Sequence, residues 1–191
     1  MIPALFLLAT GGTITMVAQP GGGIAPALRP EQLVQAVPGL AGQADFSIHA
    51  YASLPGASLT LGQLCEMATI LNARLAGDIA GAIVVQGTDT IEETAFVLDL
   101  LVKSHKPVVV TGAMRGPQAA GADGPANLLA AAIVASSPAA CQLGCLVVLN
   151  DEVHAARFVQ KQHTVLPSAM FASHAARSWT SPPGSRIFPL R

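Results

Sequence analysis

The sequence predicts an α/β protein with a mainly parallel sheet and flanking helices, and three observations predict it. Short apolar runs recur along the chain, helical periodicities fill the intervals, and small or hydroxyl-bearing residues directly follow the runs.

The first run, Ile2 to Ala9, ends in Thr10-Gly11-Gly12-Thr13. Pro30 to Val37 then reads as a short helix with proline at its start. A weaker run, Phe46 to Ala52, precedes Thr60 to Leu75, where apolar residues at 61, 64, 67, 68, 71 and 75 make an amphipathic stripe, with Cys65 read as core. Gly81 to Val85 is the third run and leads into Gln86-Gly87-Thr88-Asp89-Thr90. The helix expected over Thr90 to Val102 carries Glu92 and Glu93 in its first turn and Lys103 near its end, as the helix dipole favours. Pro107 to Thr111 is followed by Gly112-Ala113-Met114-Arg115, and the Ala-rich Gly124 to Ala135 reads as a helix buried nearly all round. Gly144 to Asn150 ends at Asp151-Glu152. Residues 174–191, rich in Ser and Pro, read as an irregular tail or a final short hairpin.

The composition bounds the function. Charged residues are 11% and apolar residues 51%, and the net charge is −1. Such a balance offers no electrostatic footprint for nucleic acid or an anionic membrane. It leaves so little polar surface that burial against another copy is expected, as a homodimer or higher homo-oligomer. The first apolar run is too short to span a bilayer and no basic residue precedes it, which points to a soluble, cytoplasmic protein. Cys65, Cys141 and Cys145 make an odd count without a second ligand pair, so neither a disulfide framework nor a metal site is expected. The five histidines follow no metal spacing and are expected at the surface or hydrogen-bonded, with His163 near enough to Lys161 to line a site. Arg115 and Arg157 are expected in structural ion pairs. Thr-Gly-Gly-Thr lacks the spacing of a dinucleotide loop, and no nucleophile elbow is present.

In parallel sheets, ligands collect at the carboxyl ends of the strands, so the residues after each run carry the chemistry. Two of those turns bear a threonine beside glycine. A local reading suffices for the second, with Thr88 or Asp89 capping a helix and Glu92 or Glu93 closing a capping box. It leaves the matching Thr13 turn unexplained.

In order along the chain, ATGGTI, QGTDTIEETA, KPVVVTGAMR, ADGPANL and VVLNDEVHAAR with the following Lys161 resemble the successive motifs of the bacterial-type L-asparaginase family. The resemblance runs from residue 5 to about 164. It implies a three-layer α/β fold, one N-terminal-like domain over residues 1–191 without the family's smaller C-terminal domain, and no cofactor. The implied activity is hydrolysis of L-asparagine to L-aspartate and ammonia, with glutamine a possible minor substrate. Thr13 is implied as nucleophile, with Thr88, Asp89 and Lys161 as a second cluster. A threonine hydroxyl needs a base, which Lys161 would supply to Thr88. Asp89 would hold the substrate ammonium. Backbone N–H groups at Thr88 and around Ala113 would stabilise an oxyanion. The glycines, Gly12 and Gly87 among them, would let backbone approach the substrate.

Departures from the family pattern accompany these matches. The loop VAQPGGGIAPAL, residues 17–28, lacks the family's tyrosine, and the chain's one tyrosine, Tyr51, is expected in a strand. Its triple glycine gives that loop the freedom of a lid. SLPGAS stands where the family has a Ser-Gln pair for the substrate carboxylate, leaving Ser53 and Ser58 as candidates. The alternative is a binding module that keeps the amino-acid pocket without turnover.

Overall fold

Runs of β-branched and leucine residues that are apolar on both faces can be satisfied only inside a sheet covered on both sides, and the computed structural model of the protein places them there. It describes residues 2–18, 21, 24–26, 28–172, 179–180 and 188–189. The elements are β1 (Ala4–Ala9), β2 (Met16–Ala18), β3 (Ile24–Pro26), α1 (Pro30–Gln35), β4 (Asp45–Ala50), α2 (Leu61–Leu75), β5 (Gly81–Val85), α3 (Ile91–Leu101), β6 (Val108–Thr111), α4 (Gly124–Ala135), β7 (Cys145–Leu149), β8 (Glu152–Ala155), β9 (Val159–Lys161), β10 (Met170–Ala172), β11 (Trp179–Thr180) and β12 (Phe188–Pro189).

Among the described residues the main sheet runs β12-β11-β8-β7-β6-β5-β1-β4. The five strands from β7 to β4 are parallel, and β8 turns back antiparallel on β7. Alternate residues of each strand enter opposite layers. Leu5, Leu7, Ile83, Val85 and Val109 pack with Leu33 of α1 and with α4. Phe6, Leu8, Val84, Val110 and Val147 pack with Leu64, Met67 and Leu71 of α2 and with Ile91, Ala95 and Leu98 of α3. Each of these Val, Leu, Ile, Phe and Met side chains contributes roughly 1.5–3 kcal/mol on burial. The result is the three-layer sandwich expected from the sequence.

The helices also follow their local signals. Thr60 and Gln63 form a reciprocal capping box on α2, with Thr60 N–H donating to Gln63 Oε1 at 2.9 Å and Gln63 N–H to Thr60 Oγ1 at 3.3 Å. On α4, Ala126 alone is exposed, in keeping with a helix that is apolar but for Asn127 and lies between sheet and neighbours.

The expectations for Cys65 and for Asp151-Glu152 need correction. Cys65 is exposed, because it lies one step off the buried stripe of α2, and Leu61 in the first turn is exposed with it. Asp151 and Glu152 do not join the polar edge as free site residues. Asn150 and Asp151 take positive φ, 54° and 60°, and make the two-residue turn that starts β8. Asn and Asp are the non-glycine residues that best tolerate this conformation. In the region expected as a lid, β2 and β3 pair antiparallel, while residues 19, 20, 22, 23 and 27 lie outside the described residues. In the 174–191 segment, β11 and β12 pair antiparallel, and residues 174–178, 181–187 and 190–191 lie outside the described residues.

Candidate active site

The parallel register decides which residues meet. Ala9 pairs with Val85, and Val85 with Thr111, so β1, β5 and β6 end at one level. The residues that follow therefore gather on one edge. Backbone bonds continue across it: Thr10 N–H donates to Val85 O at 2.9 Å, Gln86 N–H to Thr111 O at 3.0 Å, and Leu54 N–H to Thr10 O at 2.8 Å.

Two glycines set how closely these turns approach. Gly12 adopts φ 91°, ψ −179°, a conformation that side-chain-bearing residues rarely adopt, and any Cβ there would collide with the backbone of Gly87. A Cβ on Gly87 would in turn lie 2.8 Å from the amide nitrogen of Gly56. The space the sequence reserves at Gly12 and Gly87 is thus filled by neighbouring backbone. These glycines press three turns together.

Thr13 opens a short 3-10 turn, Thr13–Thr15, and is half-buried. The turn is fastened by Thr15, whose N–H and Oγ1 both donate to Gly12 O, at 3.0 and 2.9 Å. Thr88 occupies the equivalent place after β5, and the residue is only 5% exposed. Its hydroxyl accepts a hydrogen bond from Lys161 Nζ at 2.9 Å, and the same amine donates to Asp89 Oδ1 at 3.0 Å. Lys161 is 12% exposed and Asp89 66%, so the amine is enclosed while the carboxylate faces outward. The local capping reading of this turn does not hold. No side chain caps α3, and Thr88 and Asp89, just before the helix, meet Lys161 instead. Glu92 joins them, accepting the Lys161 backbone N–H on Oε2 at 2.6 Å.

The turn after β6 is fixed from α4. Asp123 accepts the N–H groups of Met114 at 2.9 Å and Arg115 at 2.8 Å, and Asn127 Nδ2 at 3.1 Å. Asn127, 2% exposed, also donates to Gly112 O at 3.0 Å and accepts the Asn150 N–H at 2.9 Å. Ala113, fully buried, sits inside this brace. Ser53 is exposed and lies against Gly11, beside a cavity of about 230 Å³ lined also by Thr15 and Arg29. Ser58 ends the Gly56–Ser58 turn, which packs on the Thr88 turn through the bond from Thr90 Oγ1 to Gly56 O, 2.8 Å. The structure therefore brings Thr88, Asp89 and Lys161 into direct contact and sets Gly12, Gly87, Ala113, Ser53 and Ser58 in the turns around them.

Sequence reasoning missed Glu92, Asp123 and Asn127 as parts of this edge. Their signal was present: Glu92 lies one helical turn after Thr88, and Asp123 and Asn127 lie one turn apart in ADGPANL.

Other candidates fall away from it. His163 is exposed, and its Nδ1 accepts the N–H groups of Val165 and Leu166 at 3.0 and 3.1 Å, capping the turn between β9 and β10. His154 corrects the expectation of a surface or hydrogen-bonded histidine. It is 2% exposed with both ring nitrogens lacking a hydrogen bond among the described residues, although Glu152 Oε2 lies 3.2 Å from Nε2. Burial lowers its pKa from 6.5, against the opposing pull of that carboxylate. Tyr51, one residue beyond β4, donates to Glu66 Oε2 on α2 at 2.6 Å, and burial with that carboxylate pushes its hydroxyl up to about 12. Arg157 pairs with Asp99 at 2.9 Å, as expected, and Arg115 donates to Gly121 O at 3.1 Å. A larger cleft, about 650 Å³, lies by Asp99, His105, Gly144 and Arg157 at the amino ends of β6 and β7. The opposite edge, where the glycine turns meet, carries the denser chemistry. No group of three or more His, Cys, Asp or Glu among the described residues is placed to hold a metal.

A threonine–lysine pair and a carboxylate thus meet glycine-rich turns at the carboxyl edge of a covered, mainly parallel sheet. A family model described as "Asparaginase, N-terminal" matches residues 4–180, and the chain belongs to that family. It is 41% identical over 168 residues to L-asparaginase 2 of Bacillus subtilis, covering 85% of this chain and 45% of the relative. It is also 41% identical over 164 residues to the probable L-asparaginase of Deinococcus radiodurans, covering 85% and 49%. The crystal structure of the probable cytoplasmic L-asparaginase from Campylobacter jejuni superposes with a TM-score of 0.92 at 32% identity, over 99% of this chain and 58% of that one. The chain spans about half the length of the curated relatives it matches.

Proposed function

We propose that this protein hydrolyses the side-chain amide of L-asparagine to L-aspartate and ammonia. The observation that carries the reading is the enclosed Lys161 amine, 2.9 Å from the Thr88 hydroxyl and 3.0 Å from Asp89, at the edge where the Thr13 turn also ends. Thr13 attacks the amide carbonyl, the C–N bond breaks, and the departing nitrogen takes up the hydroxyl proton to leave as ammonia. Water then hydrolyses the Thr13 ester to free L-aspartate. Lys161 exchanges a proton with Thr88, which connects the base to the reacting centre. Asp89, bound to Lys161 through one oxygen and largely exposed, takes the α-ammonium of the substrate. Backbone N–H groups near Thr88 and Ala113 face the developing oxyanion, each such donor contributing about 3 kcal/mol. Backbone at Gly12 and Gly87 completes the floor, and Ser53 or Ser58 binds the α-carboxylate. The relatives named as L-asparaginases support this substrate.

Ammonia release from asparagine and from glutamine tests the reading: asparagine turnover with little from glutamine is expected, and no release from either refutes it. We place the protein in the cytoplasm, as the name of the Campylobacter jejuni structure has it; no helix among the described residues is long and apolar enough to cross a membrane. We also propose a homo-oligomer, since Leu61, Phe96 and Leu100 are exposed on α2 and α3. Sedimentation at micromolar concentration should find a dimer or larger, with roughly 2,000 Å² or more buried.

A further inference from the structure

We infer that Glu92 is a positioning residue for the Lys161 amine. The inference rests on the reading of Thr88 and Lys161 as reacting groups and concerns what holds them in register. A lysine amine ends a chain of four methylenes, so its position depends on how firmly the stem is anchored. Lys161 ends β9, and among the described residues β9 pairs with β10 alone, outside the main sheet. The sheet that fixes Thr88 therefore does not fix Lys161 by any ladder bond.

Glu92 supplies the missing connection. Its Oε2 accepts the Lys161 backbone N–H at 2.6 Å, a short charge-assisted bond. Glu92 stands four residues after Thr88 and three after Asp89, at the start of α3. One stretch of five residues thus holds the lysine by three bonds at two points: its backbone N–H through Glu92, and its amine through Thr88 and Asp89. The two bonds to the amine cannot on their own define a distance, because the stem could carry the amine elsewhere at little cost. The bond to the backbone N–H fixes the origin of the stem. A second carboxylate of α3 extends the same fastening, since Asp99 holds Arg157, four residues before Lys161, at 2.9 Å.

The acceptor oxygen, rather than the charge, is what this role requires, and two substitutions separate them. Glu92→Ala removes the acceptor, and Glu92→Gln keeps a carbonyl oxygen at the same reach. Steady-state kinetics on asparagine should show kcat lowered about 10- to 100-fold in Glu92→Ala with KM within about twofold, the pattern of misplaced rather than missing chemistry. Glu92→Gln should restore kcat to within about threefold of the parent. The chain has three lysines, at 103, 106 and 161, so labelling lysine with ¹⁵N gives three backbone amide signals, and Lys161→Met identifies the third. That signal should move in Glu92→Ala and stay near its parent position in Glu92→Gln.

A kcat within twofold of the parent in Glu92→Ala overturns the inference, and so does an equal loss in both variants. If Glu92→Ala does not fold, Glu92→Asp, one methylene short of the lysine N–H, takes its place with the same expected loss. The parent and Lys161→Met judge the underlying reading separately. A Lys161→Met protein as active as the parent sinks that reading, whereas an inactive one beside a fully active Glu92→Ala sinks only the role of Glu92.

Discussion

The turns that follow β1 and β5 are made of the same residue types and end neighbouring strands, yet they are held by different means. The Thr13 turn is fastened locally, by Thr15 bonding back to Gly12. The Thr88 turn is fastened from a distance, by a lysine 73 residues further along the chain. Thr13 is half-buried, while Thr88 is 5% exposed and its hydroxyl is engaged. In the proposed reaction this difference is a division of labour. The open hydroxyl meets the substrate, and the enclosed one carries the proton path. The close approach of Gly12 to Gly87 is what lets two such turns share one substrate.

The largest effects should come from removing either hydroxyl. Thr13→Ala and Thr88→Ala are each expected to lower kcat by roughly 10³-fold or more while the fold persists, as circular dichroism would show. The comparison breaks if one of them keeps near-parent turnover, for then a single turn does the chemistry. Asp89→Asn removes charge at nearly constant shape. It should raise KM and lower kcat, each by about tenfold or more, because a substrate held less firmly is also misplaced; unchanged saturation kinetics would remove Asp89 from the ammonium site.

A smaller effect is expected at the brace behind the edge. Asn127→Ala strips partners from Gly112 O and the Asn150 N–H inside a buried site. A loss of roughly 2–3 kcal/mol in unfolding free energy should follow, with a lesser fall in kcat. A variant as stable as the parent would show that the Ala113 turn holds itself.

The smallest concerns His154, buried in β8 away from both turns. Its folded pKa is lowered from 6.5, so the unfolded chain takes up the proton first as pH falls. The native state should be most stable above about pH 6.5 and lose stability below it, and His154→Leu should flatten that slope in thermal melts from pH 7.5 to 5. An unchanged slope would place the acid sensitivity elsewhere.

Much of this was legible in the sequence. Apolar runs of four to eight residues named the parallel strands, because a strand covered on both faces has no other way to read. Thr13, Thr88, Asp89 and Lys161 were legible as one constellation through motif order, and contact among the last three is what the fold adds. What the sequence hid lay in bonds between side chain and distant backbone. Glu92 looks like a helix-start carboxylate until Lys161 is brought beside it, since the partner is 69 residues away. The antiparallel β8 is masked although Asn150-Asp151 carries a turn signal, because the apolar run before it ends where a parallel strand would also end. Cys65 reads as core from its residue type alone, but it stands beside the stripe of 64, 67, 68, 71 and 75 that α2 buries.

The central claim is that the Lys161 amine serves the chemistry rather than the binding. Lys161→Met keeps the stem and removes the amine, so ammonia release from asparagine and calorimetric binding of L-aspartate should be measured on the same preparation. Hydrolysis should fall below detection while aspartate affinity stays within about fivefold of the parent, since Asp89 and backbone groups still hold the ligand. A Lys161→Met protein that hydrolyses asparagine at the parent rate would contradict the claim.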